Sequence, residues 1–276
     1  MGYTDRLAPL IVAGLADGAV SLDRWLADGK SILNENLGAG ATWTKGGKGA
    51  PLRDVRIDSF FPTLPEGVSE NEIEIRIHPP FPEEAKGAPV AVHLARSLEV
   101  QLPAAPDSPL EALLSDRPWT DRRTLWIHPG AGSPEKRWPL ASFLEVADRW
   151  RTQTRTEVRF LLGEADLEMT APLEAAGFRI ELPPTPLDMA RLFSREDVFL
   201  GNDSGPSHLA ALMGIRTLAI FVSTDPRIWG PWGSHSFVVA SGGERPCLKP
   251  VDILSHLSRF GFYESQRATL LPIALL

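Results

Sequence analysis

The sequence predicts an α/β protein whose second half is built on a parallel sheet with helices on both faces. Three observations carry that prediction. Between residues 125 and 240, short apolar runs alternate with helix-like segments at the spacing of βαβ units. The first run, Leu125-Trp126-Ile127, ends in His-Pro-Gly-Ala-Gly-Ser, and a helical pattern starts at Pro139, a residue type favoured at a first helical position. The unusual polar residues fall in loops that follow strands, where ligands of such sheets sit.

Length and composition set the frame. The 276 residues, 43% hydrophobic, suffice for two ordinary domains. We divide the chain into residues 1–120 and 121–276, with the Pro-, Asp- and Ser-rich segment 101–123 as linker. The first part carries 11 Lys+Arg against 17 Asp+Glu and the second 17 against 18, so a broad basic face for nucleic acid is not expected. One cysteine, Cys247, excludes an intramolecular disulfide and a thiolate zinc site and fits a reducing cytoplasm. The first 30 residues lack a basic stretch followed by an apolar core, and no apolar run nears the length of a membrane span. The expectation is a soluble cytoplasmic protein, with peripheral contact at a membrane surface left open.

In the first half, residues 4–16 suit a short helix with Thr4 as cap, and 19–22 a brief strand. Residues 38–51 form a glycine-rich loop with Lys45 and Lys48; it lacks the GxxxxGK[ST] spacing of a P-loop and reads as a surface loop. A strand is expected in RIDSFF from Arg56, and another over Glu72 to His78, where Ile73, Ile75 and Ile77 alternate with polar neighbours. Prolines 79, 80 and 82 stop it. Residues 88–98 suit a helix, in which His93 has no partner at ligand spacing and reads as a packed or surface histidine; a short helix is expected at 109–115.

The second half continues with a helix over 140–151, a strand at 158–162, a helix over 165–176 and a strand at 178–182. A short helix at 187–193, a strand at 198–201, a helix at 206–213 and strands at 217–222 and 237–240 follow. Three loops after strands stand out. In the first, Gly130 and Gly132 let backbone amides approach a ligand closely, with Lys136 and Arg137 at the mouth; a phosphate or an ordinary basic turn both fit. The second runs Asn202, Asp203, Ser204, Gly205, Pro206, Ser207, His208. Its polar run at a helix start suits an anion, or simple capping by Asp203 or Ser204 with Pro206 just inside. His208 points to a phosphate or hydroxyl, or to a bond with a neighbouring loop. The third, Ser223-Thr224-Asp225-Pro226, offers hydroxyls and a carboxylate to a sugar, or forms a turn. Glu164 closes the strand at 158–162. No GxGxxG opens a helix, so a dinucleotide enzyme falls behind a nucleotide-diphosphate sugar as ligand class.

HPGAGSPEKRWP at 128–139, NDSGPSHLAALMG at 202–214 and STDP at 223–226 resemble, in order and spacing, the signature of the heptosyltransferases, glycosyltransferase family 9. Weaker similarity covers EIRIHPPFPEEAKGAPVAVHLARSLEV at 74–100 and a late helix, PVDILSHLSRF, at 250–260. The resemblance implies a GT-B fold of two Rossmann-like domains with parallel sheets, the donor held by residues 121–276 and the acceptor by the N-terminal domain. It implies transfer of a heptose from an ADP-sugar, with inversion and with neither metal nor cofactor, to a glycolipid or oligosaccharide acceptor of the lipopolysaccharide core. Position by position, Lys136 would bind the diphosphate, bordered by Gly205 and His208. Asp203 and Ser204 would contact phosphate or sugar, Glu164 the ribose, and Thr185 would line the base. Gly130, Ala131, Gly132, Ser133 and Pro206 complete the expected donor site.

The departure is at the front. The family begins with a strand and a Gly-Asp turn whose aspartate deprotonates the acceptor hydroxyl, and Gly2-Tyr3-Thr4-Asp5 imitates only the turn. The text through VSLDR is similar to the family's second βα unit, so on the order of thirty residues are expected to be missing and the N-terminal domain incomplete. Asp5 is the stand-in candidate for the catalytic base, beside Lys136 on the leaving-group side. Two rivals remain: a non-catalytic nucleotide-sugar-binding protein of this fold, and a GT-B enzyme using another nucleotide sugar.

Overall fold

The computed structural model describes residues 56–59, 74–79, 88–101, 110, 123–241 and 248–261. The expected helix at 4–16, strand at 19–22, loop at 38–51 and, Leu110 apart, helix at 109–115 lie outside the described residues. The chain divides into two compact units, Met1–Leu102 and Pro103–Leu276.

In the first unit β1 (Arg56–Ser59) pairs in parallel with β2 (Glu74–Ile77), Ile57 opposite Ile75. Helix α1 (Val90–Ser97) follows. It ends in a Schellman turn, in which Val100 N–H donates to Ala95 O at 2.9 Å and Glu99 N–H to Arg96 O at 3.2 Å, with Glu99 in the left-handed region at φ 57°. The His93 ring meets the Pro79 carbonyl at 2.8 Å, a local tie between the helix and the chain entering it.

The second unit is a doubly wound sheet. Its strands are β3 (Thr124–His128), β4 (Glu157–Leu161), β5 (Arg179–Glu181), β6 (Val198–Asn202), β7 (Arg216–Phe221) and β8 (Ser236–Ala240). All pair in parallel, in the spatial order β5-β4-β3-β6-β7-β8. Both faces of the central strands are covered, which is why they read as nearly continuous apolar runs. On one face Leu125, Ile127, Val158, Phe160, Val198, Leu200, Leu218 and Ile220 pack under α2 (Leu140–Thr154), which buries Phe143, Val146, Ala147 and Trp150. Helix α7 (Pro250–Gly261) adds Ile253, Leu254 and Leu257 to the same core. On the other face Trp126 meets Phe193 edge-on at 5.7 Å, and Phe193 meets Phe199 at 5.8 Å. There the buried Asp197 accepts Trp126 Nε1, Thr124 N–H and Ser194 N–H at 2.8–2.9 Å. Burial raises its carboxyl above the ordinary value, against the pull of these donors.

Two elements differ from the sequence expectation. The single helix expected over 165–176 is a 3₁₀ turn, Glu164–Met169, followed by α3, Thr170–Ala175. Pro172 is the reason: it has no N–H to give to the preceding turn, so the α-helical ladder restarts around it. The loop after β7 contains a short helix, α6 (Pro226–Trp229), capped by Asp225 through Arg227 N–H at 2.9 Å. The remaining helices are α4 (Pro186–Ala190) and α5 (Gly205–Leu212). Pro139 sits at the N-cap of α2 rather than inside it, and its carbonyl receives Ser142 and Phe143 N–H.

Candidate functional site

The order of the strands fixes where a ligand can lie. β3 and β6 are neighbours, yet the chain leaves them for opposite faces of the sheet, which opens a crevice beyond their carboxyl ends. The first and second loops meet there.

Lys136, at the end of a 3₁₀ turn (Pro134–Lys136), places its ammonium 2.8 Å from Asp203 Oδ2. Thr224 Oγ1 donates to the same oxygen at 2.7 Å, and His208 Nε2 faces the other oxygen at 3.9 Å, a polar contact too long for a hydrogen bond. Asp203 is 6% exposed and Lys136 30%. Burial, the largest single influence, works to keep the Asp203 carboxyl protonated. The facing His208, Lys136 and Thr224 together outweigh it and bring the pKa down to about 2. The carboxylate is thus a fixed negative charge that aims Lys136 into the crevice. An ammonium has three N–H groups, and the bond to Asp203 uses one.

Asn202 locks the two loops together. Its Nδ2 donates to Pro129 O at 2.8 Å and Gly130 O at 3.3 Å, and its Oδ1 accepts Trp138 N–H at 3.0 Å. Its own carbonyl accepts Ser207 Oγ at 2.6 Å and Ser204 Oγ at 3.2 Å. Ser204 therefore occupies the N-cap position of α5 without capping it through its side chain, and Asp203 is committed to Lys136 and Thr224. The capping alternative read from the sequence is corrected on this point. The buried amide is satisfied on every atom, as a polar group at 0% exposure must be.

The glycines divide. A Cβ on Gly130 would lie 2.3 Å from the Asp166 carboxylate, so the space beside it belongs to Asp166. A Cβ on Gly132 or Gly205 would meet nothing within 4 Å. Arg137, expected to add charge at the mouth, bridges Asp166 (3.3 Å) and Glu168 (2.8 Å) instead. Ala131 and Ser133 are half-buried in the same turn, and Pro206 lies in the first turn of α5.

Glu164 is exposed just beyond β4, and Thr185 lies beyond β5, on the other side of β3 from Asp203. The Thr185 hydroxyl caps α4, accepting Asp188 N–H at 3.1 Å and donating to Asp188 Oδ2 at 2.7 Å. On the opposite flank Asp225 serves the turn: it caps α6 and pairs with Arg227 at 2.6 Å. Trp229, at the end of α6, lies half-buried with its ring centroid 5.9 Å from Lys136 Nζ. Asp5 lies outside the described residues. Among the described residues no three His, Cys, Asp or Glu side chains are grouped to hold a metal ion.

Sequence reasoning missed two members and the role of a third. Asn202 was readable as the one polar residue ending an apolar strand. Asp166 and Trp229 gave no local signal of their place at the site, because the site residues they meet, Arg137 and Lys136, are far away in sequence.

Comparison with known proteins gives a consistent result. A family model described as glycosyltransferase family 9 (heptosyltransferase) matches residues 87–258. Lipooligosaccharide heptosyltransferase 2 of Campylobacter jejuni subsp. jejuni serotype O:2 is 27% identical over 145 residues, 49% of this chain and 45% of that protein. Lipopolysaccharide heptosyltransferase 3 of Escherichia coli is 28% identical over 76 residues, 28% of this chain and 21% of that one. Thus the chain spans about half the length, or less, of these curated relatives. Among solved structures, E. coli heptosyltransferase WaaC with ADP superposes with a TM-score of 0.51 at 20% identity, over 62% of this chain and 55% of that one.

Proposed function

The chain belongs to glycosyltransferase family 9, and from that premise we propose that it transfers a heptose from an ADP-activated sugar to an acceptor of the lipopolysaccharide core type. The single observation that carries the donor half of this reading is the Lys136–Asp203–Thr224 cluster in the crevice between β3 and β6. The diphosphate lies there, against the Lys136 ammonium and the N-terminus of α5, where unpaired amides and the positive end of the helix dipole favour an anion. Glu164 takes the ribose and Thr185 borders the base. Residues 121–276 form the donor-binding domain and 1–120 the acceptor side.

The reaction is a direct displacement with inversion. An acceptor oxygen attacks the anomeric carbon while the bond from that carbon to the diphosphate oxygen breaks, and the electron pair leaves with ADP. Charge therefore grows on the diphosphate, and a fixed ammonium stabilises the transition state more than the ground state. The sequence has no DxD pair to bind a metal, which supports a metal-independent mechanism resting on Lys136 and the helix amides. The acceptor proton goes to a base of the first unit, for which Asp5 is the sequence's candidate. No helix among the described residues is long and apolar enough to cross a membrane. We place the protein in the cytoplasm, meeting its glycolipid acceptor at the inner membrane surface.

The test is the thermal midpoint of the chain with ADP, UDP, GDP and CDP, since a ligand bound only by the folded form stabilises it by mass action. A rise specific to ADP that disappears in Lys136→Ala is the expected result. Cooperative melting with no response to any nucleotide would overturn the reading. A transfer assay with ADP-heptose and a lipopolysaccharide core acceptor then separates the enzyme from a donor-binding protein that lacks turnover.

A further inference from the structure

The donor site has one wall that the motifs do not assign. Trp229 ends α6, a turn held in place from both ends: Asp225 caps it, Trp229 N–H donates to Asp225 O at 3.0 Å, and Ile228 is buried beneath it. The turn carries the half-buried indole to the edge of the crevice, its ring centroid 5.9 Å from Lys136 Nζ.

Sheet order says which part of a ligand comes near it. Glu164 and Thr185 follow β4 and β5, on one side of β3. Lys136 and Asp203 stand between β3 and β6. Thr224 and Trp229 follow β7, on the opposite side. A nucleotide sugar is a linear sequence of base, ribose, diphosphate and sugar. With ribose at Glu164 and diphosphate at Lys136, the sugar is carried toward β7.

We propose that Trp229 is the sugar-facing wall of the donor site and a specificity-determining residue for an ADP-linked sugar that presents a face of C–H bonds. The inference rests on the donor-site reading above and extends it to a residue outside the three motifs. An indole supplies a broad, rigid apolar surface at little entropic cost, and the C–H face of a pyranose ring has matching shape and polarity. Its position beside the ammonium also couples the two tasks, because a sugar seated on the ring holds its anomeric carbon near the group that receives the leaving charge.

Calorimetric titration of the 276-residue chain with ADP and with ADP-heptose tests this. Trp229→Ala should weaken ADP-heptose by about tenfold, roughly the worth of one lost aromatic contact, while ADP changes by less than about twofold. Trp229→Phe should keep most of the ADP-heptose affinity and shows that the fold tolerates the site. Equal weakening of both ligands would overturn the proposal, since Trp229 would then act only by holding Lys136; so would no change in either. A native chain that binds no ADP at all would instead sink the donor-site reading on which the proposal stands.

Discussion

Lys136 Nζ and Asp203 Oδ2 lie 2.8 Å apart, though 67 residues separate them in the chain. They stand in the loops that follow two neighbouring strands, and the carboxylate, almost wholly buried, gives the lysine its direction. A partly buried pair of this kind costs more when broken than it contributes when intact. Lys136→Met should therefore lower stability by about 1–2 kcal/mol, discounted for the lysine's exposure. The double variant with Asp203→Asn should recover part of that loss. Urea unfolding of the four members of the cycle reads the coupling, and strict additivity would show that the pair is not energetically linked.

Acid should report on the same carboxylate. Its pKa falls from 3.8 to about 2 in the folded chain. The unfolded state therefore binds a proton first, and the contribution of about 2 kcal/mol is fully present above about pH 4 and lost as pH falls through 2. The stability gap between the native chain and Asp203→Asn should shrink across that window. A gap that stays constant from pH 5 to pH 2 would contradict the assignment.

His128 should shape a different window. Its Nδ1–H donates to Leu161 O at 2.9 Å, and burial holds its pKa below the ordinary 6.5. Protonation thus favours the unfolded chain, and stability should decline as pH drops below about 6.5. His128→Gln, which stays neutral, should flatten the urea midpoint between pH 7.5 and pH 5.5 relative to the native chain.

Asn202 should be far less replaceable than its neighbours. Asn202→Ala strips partners from the Trp138 amide and from the Pro129 and Gly130 carbonyls, at a cost of about 2–3 kcal/mol. It should also abolish any response of the thermal midpoint to ADP, because Lys136 rides on the loop that Asn202 ties down. A stable variant with an unchanged nucleotide response would show that the loop holds its shape without the tie.

The two glycines of the first loop should behave oppositely. Gly130→Ala drives a methyl into the Asp166 carboxylate and should cost about 1–3 kcal/mol, most of it removed by a second change, Asp166→Ala. Gly132→Ala enters open space and should leave the thermal midpoint nearly unchanged. Equal sensitivity of the two positions would refute the distinction.

The sequence by itself determined the strands, most of the helices and the loops that matter. Apolar runs, the prolines at helix starts such as Pro139 and Pro206, and turn residues act over a few neighbouring positions, so β3 through β8 and the loops at 128–138 and 202–208 could be read locally. The restart of the helix at Pro172 was within reach of the same reasoning and was missed because the apolar pattern runs on through it. The tertiary structure alone decided which loops meet. Placing β6 beside β3 brings Asp203 to Lys136, threads Asn202 into the first loop and swings Asp166 into the gap at Gly130. It also sets Trp229 against Lys136 from the far side of β6. Those partners are chosen by strand order, and strand order follows from burying two faces of one sheet, a property of the whole core that no local spacing encodes.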